Sequence, residues 1–146
     1  MKFRALLPLL LVFTLAACQA PYKKKDDADK QPFKDQSGDQ AFQAFLGRLR
    51  RAVANKDHAM LTSMMAPDFG YRWDSPPPGE TPFIYWEQHN TWPELTTVLR
   101  ENFAPNNRYM VAPAAAVTDP NYKGYRAGIR IVGGSWKFGY FVPSEQ

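Results

Sequence analysis

The chain has 146 residues with one cysteine, two histidines and a formal net charge of +4, and two of those charges, Lys2 and Arg4, belong to its first segment. So even a balance argues against nucleic acid as a partner. A single cysteine excludes an internal disulfide, and His58 and His89 alone lack the spacing of a zinc site, so neither a metal nor a cofactor is expected. The length suits one domain plus a tether, enough to bury a core without covalent staples.

Lys2 and Arg4 make a positive start, followed by an apolar run from Ala5 to Leu15 that is broken only by Pro8 and Thr14. The run is shorter than the roughly 20 residues of a membrane span and ends in small side chains, which predicts a secretory signal over residues 1–17. The tetrapeptide Leu15-Ala16-Ala17-Cys18 resembles the lipobox of bacterial lipoproteins. That resemblance implies a diacylglyceryl thioether on Cys18, cleavage just before it and acylation of the new amine. Cys18 is then the lipid-attachment residue and the chain's contact with the membrane. The alternative is an ordinary signal cut near Ala17, leaving a free thiol. Gln19, in place of the aspartate that retains lipoproteins in the inner membrane, implies the periplasmic side of an outer membrane. In a cell with one membrane the same motif implies its extracytoplasmic face.

Residues 18–38 carry Tyr22 and Phe33 as their only bulky apolar side chains, too little to offset the entropy of ordering, so a disordered tether is expected. As a flexible coil it would reach roughly 25 Å. Lys23 to Lys25 are followed at once by Asp26, Asp27 and Asp29, which favours a solvated linker over a lipid-binding patch.

One domain is expected over residues 39–146. Phe42, Phe45, Leu46, Leu49, Ala52 and Val53 recur at helical spacing and predict a helix of about four turns. Asp57 is placed to cap a second, short helix that turns Leu61, Met64 and Met65 to the core and stops at Ala66-Pro67. Asp68 to Asp74 changes to period two, which predicts a strand with Phe69, Tyr71 and Trp73 on one face and Asp68, Arg72 and Asp74 on the other.

Residues 75–91 are the least regular part. Pro76 to Pro78 and Gly79 break both regular structures, and Pro82 to Glu87 reads as a short edge strand. Thr91 and Glu94 have capping-box spacing for a third helix lined by Trp92, Leu95, Leu99 and Phe103. A strand is expected from Arg108 to Ala112, resuming through Val117, with a turn at Asp119-Pro120-Asn121. Tyr125 to Val132 and Ser135 to Val142 flank Gly133-Gly134, a two-residue β-hairpin signal. Counting outward pairs Ile131 with Trp136, Ile129 with Phe138, Ala127 with Tyr140 and Tyr125 with Val142. On the other face Arg130 falls opposite Lys137, read as a solvated face, with an anion-binding surface as the alternative.

The order of elements, the stretch Met65-Ala-Pro-Asp-Phe69 and the final Gly134 to Phe141 are similar to the nuclear transport factor 2 superfamily over about residues 39–143. The resemblance implies an α+β fold, N-terminal helices packed on a curved antiparallel sheet that forms a cone, often around an apolar cavity. Tyr71, Trp73, Tyr85, Trp86 and Trp92 are the candidate lining. Family enzymes resembling ketosteroid isomerase place carboxylates inside the cone, whereas the parity of Asp68 and Asp74 turns them outward here. Glu87 with His89 is the weak catalytic candidate that remains, and no nucleophile elbow or phosphate loop is present. The expected function is therefore a lipid-anchored envelope protein acting as a non-enzymatic binding or interaction module. Its partner would be a small apolar ligand, a glycan or an envelope protein. The alternatives are a cone-type enzyme using a cavity carboxylate or histidine, and a structural or dimerising module.

Overall fold

The computed structural model describes residues 35–144; the expected signal, Cys18 and the tether up to residue 34 lie outside the described residues. The first helix starts where Asp39 accepts a hydrogen bond from the Phe42 amide at 2.8 Å, which satisfies one of the free donors of the first turn. It runs over Gln40–Ala54 as α1 and buries the six apolar residues of its stripe. Asp57 caps α2, His58–Met64, in the same way through the Met60 amide. Among the described residues the chain continues with β1 (Met65–Gly70), α3 (Pro82–Gln88), α4 (Trp92–Val98), β2 (Ala104–Asn106) and β3 (Tyr109–Ala112). It closes with α5 (Ala115–Thr118), β4 (Tyr125–Val132) and β5 (Ser135–Pro143). The fold is α+β.

The five strands form one sheet in the order β1-β5-β4-β3-β2. It is mixed rather than antiparallel, because β1 lies parallel to β5. The remaining neighbours are antiparallel, and Gly133 and Gly134, at φ 57° and 80°, turn β4 into β5. Ile131 pairs with Trp136 and Ile129 with Phe138. Beyond them the expected register is lost. Gly139 is an extra residue, so Gly128 faces Tyr140, Ala127 faces Phe141 and Tyr125 faces Pro143. Such a bulge exchanges the faces of all later side chains.

Other expectations give way for local reasons. The segment from Pro82 is helix α3, not an edge strand: Pro82 occupies the first turn, where its missing N–H costs nothing, and the Thr81 hydroxyl accepts from the Ile84 amide. Strand β1 begins at Met65 and ends at Gly70, so Tyr71 and Trp73 leave the alternation. Helix α4 ends at Val98 and Thr91 makes no side-chain cap. Pro113, without an N–H to continue a ladder, follows β3, and helix α5 replaces the expected resumption of the strand.

The core lies between α1, α2, α3 and α4 and one face of the sheet. Phe42, Leu46, Leu49, Trp86, Leu95, Phe138 and Phe141 are almost fully buried there. Phe42 meets Phe103 and Trp136 edge-on, and Trp86 meets Trp92 and Phe141 in the same way, the favoured geometry for aromatic quadrupoles. Arg50 Nε donates to the Leu99 carbonyl at 2.7 Å and ties α1 to the end of α4. Among the described residues no helix is long and apolar enough to cross a membrane.

Candidate functional site

Alternation along the strands sorts the sheet into two faces. Met110, Ala127, Ile129, Phe138 and Phe141 belong to the core, which leaves Tyr109, Arg126, Gly128, Arg130 and Tyr140 on the other face. The Gly139 bulge is what turns Tyr140 outward. Two glycines then let two rings lie against the sheet: a Cβ on Gly128 would collide with the Tyr140 ring, and a Cβ on Gly139 would stand 2.6 Å from the Tyr109 ring. The rings touch each other, with centroids 5.0 Å apart.

Above them is a groove of about 400 Å³, inside the roughly 300–1,000 Å³ range of small-molecule sites. Asn106 and Asn107 border it from the β2–β3 connection, where Asn107 takes positive φ in a two-residue turn. Trp73 borders it from the other side. Its indole Nε1 donates to the Pro143 carbonyl at 2.9 Å, which fixes the ring while 56% of the residue stays exposed. The Arg126 guanidinium lies 5.8 Å from the centre of that ring.

The charges around the groove are unequally partnered. Arg72 holds both oxygens of Asp74 at 2.7 Å and donates to Glu80 at 2.7 Å. Hydrogen bonds from Arg72 hold the Asp74 carboxyl below its usual range. Arg130 donates to Asp68 at 2.5 Å and Lys137 to the Ser63 carbonyl at 2.7 Å, so these two facing cations diverge to separate partners. Arg126 is different: among the described residues no carboxylate pairs with it, although its Nε, like that of Arg130, is buried without a hydrogen-bond partner. Burial pushes the Tyr140 hydroxyl up to about 12, against the opposing pull of Arg126. Tyr140 is therefore a neutral donor throughout the ordinary pH range. An unpartnered guanidinium, a protonated phenol and two free amides can together bind an anionic, hydrogen-bonding ligand.

Comparison with known protein families, with characterised proteins and with solved structures finds no match to this chain.

The residues singled out in the sequence are dispersed. Tyr71, Trp86 and Trp92 are buried; Tyr71 donates to Glu80 at 3.2 Å, while the two tryptophans are packed in the core. Tyr85 is half-buried between the Tyr71 ring and the His89 imidazole. Trp73, of those five, lines the groove. Glu87 is engaged by Lys56 at 2.6 Å, whereas His89 Nδ1 contacts the Tyr85 carbonyl at 2.8 Å. Two positions apart at the end of a helix, they do not face each other. Among the described residues no cluster of three His, Cys, Asp or Glu side chains could hold a metal ion.

Tyr109, Arg126, Tyr140, Asn106 and Asn107 were not legible as a site. The available signals were Gly128 and Gly139 inside strand-like runs, where glycine marks a bulge or a close approach, and the Asn106-Asn107 pair, a turn composition.

Proposed function

We propose that this chain is a lipid-anchored cell-envelope protein that works as a non-enzymatic binding module, its ligand a small anion-bearing molecule seated in the groove on the open face of the sheet. The observation that carries the reading is Arg126, a groove-lining guanidinium that no carboxylate pairs with among the described residues, beside a neutral tyrosine and a half-exposed tryptophan. A guanidinium without a carboxylate beside it gains a charge-assisted hydrogen bond when a ligand anion enters the groove.

The lipobox resemblance supplies the location: lipid on Cys18, anchorage on the periplasmic side of an outer membrane, or on the extracytoplasmic face where there is one membrane. A tether over residues 18–38 would let the domain search the adjacent envelope. The order of helices and strands, with α1, α2 and α4 packed on one face of a bulged sheet, supports kinship with the nuclear transport factor 2 superfamily and a cone-like curvature. In this reading the inner space of the cone is occupied by Trp86, Trp92 and Phe138, and the binding function has moved to the outer face.

Two measurements test the proposal. Detergent-phase partition of the expressed chain should be lost in Cys18→Ser; an unchanged partition removes the lipid anchor. Carboxylate or sulfate titration should raise the thermal midpoint of the parent and not of Arg126→Met; equal responses remove the groove as the site.

A further inference from the structure

The groove has an aromatic floor and a polar rim, and the rim offers acceptors as well as donors. Tyr109 and Tyr140 lie low over glycines and form the floor. Around it, Asp68 uses only Oδ1 on Arg130, leaving Oδ2 without a hydrogen bond among the described residues, and the Asn106 and Asn107 amides carry none. Arg126 stands at one end beside the exposed Trp73. A simple aryl or alkyl acid would meet the guanidinium but present no hydroxyl groups to Asp68 and the asparagines, stripping water from acceptors it cannot satisfy. A ligand that fits the whole lining has a face of C–H groups, hydroxyls around its edge and one carboxylate.

Resting on the groove as the binding site, we infer that the ligand is a carboxylated pyranose: a sugar acid whose ring lies on Tyr109, Tyr140 or Trp73, with its carboxylate on Arg126 and its hydroxyls on Asp68, Asn106 and Asn107. A carbohydrate-rich envelope within reach of the tether would present such sugars as parts of polymers, so the open groove suits a residue in a chain better than an enclosed cavity would.

The test uses the full-length chain purified in a sugar-free zwitterionic detergent, titrated calorimetrically with methyl β-D-glucuronide, methyl β-D-glucoside and benzoate. The glucuronide should bind at least about tenfold more tightly than either of the others. Arg126→Met should remove the preference over the glucoside. Asn107→Gly, which keeps the positive-φ backbone while deleting the amide, should weaken both sugars alike. Benzoate binding as tightly as the glucuronide, and lost in Arg126→Met, would overturn the sugar assignment while leaving the anion site intact. Equal binding of glucoside and glucuronide would overturn the role of the carboxylate. Failure of all three probes to bind would overturn both the inference and the groove.

Discussion

The Tyr140 ring lies in the space where Gly128 has no Cβ, and an added methyl there would meet ring atoms Cε1 and Cζ. The two residues face each other across β4 and β5 because Gly139 bulges between Phe138 and Tyr140. Gly128→Ala should therefore cost about 1–2 kcal/mol through overpacking. In a Tyr140→Ala background the same change should be neutral or slightly stabilising, since alanine orders a strand better than glycine. A double-mutant cycle by urea denaturation measures the coupling; additive effects would show that the ring does not occupy that space.

Arg126→Met should leave stability unchanged or raise it slightly. The change forfeits a cation–π contact with Trp73 worth about 0.5–1 kcal/mol and removes a buried donor without a partner, whose desolvation costs about 1–3 kcal/mol. Thermal denaturation reads the balance, and a large loss of stability would mean that Arg126 is a structural residue. Its effect should appear instead in ligand affinity, weakened about tenfold or more with the loss of a charge-assisted hydrogen bond.

Tyr140 should ionise near pH 12, against about 10 for an ordinary tyrosine. Because the folded pKa is raised, the folded chain holds this proton more tightly than the unfolded chain. Its contribution to stability is complete below about pH 10 and is lost as the pH rises through about 12. Subtracting the tyrosinate ultraviolet titration of Tyr140→Phe from that of the parent isolates the step; a midpoint near 10 would place the hydroxyl in water.

Trp86 is fully buried, and its Nε1 has no hydrogen-bond partner among the described residues. Trp86→Ala should cost about 3–5 kcal/mol by emptying the core. Trp86→Phe should cost about 1–2 kcal/mol, because the smaller void is partly offset by removal of the unpartnered donor. Equal costs for the two variants, measured by denaturant unfolding, would assign Nε1 a bond that the packing does not show.

Helix α1 was legible because its determinant is local: the apolar spacing selects the buried stripe. The turn at Gly133-Gly134 and the first two cross-strand pairs follow from equally short-range chemistry. Counting by twos failed at Gly139, where one additional residue exchanged the faces and moved Tyr140 from the expected core to the groove. Pro82 misled because proline breaks a helix interior but suits a helix start, and Thr81 decides between the two. The parallel pairing of β1 with β5 joins segments distant in sequence and leaves no local pattern. The isolation of Arg126 is hidden for the same reason: Arg130 lies on the same strand, and only the fold brings it Asp68, 62 positions away.

The proposed binding uses the open face of the sheet and not the interior of the domain. Amide and indole chemical-shift mapping during titration with methyl β-D-glucuronide tests it most directly. Perturbations are expected at the Trp73 indole, Asn107, Gly128 and Gly139, with Trp86, Trp92 and Leu95 unmoved; shifts centred on those three core residues, with the groove silent, would contradict binding at the open face.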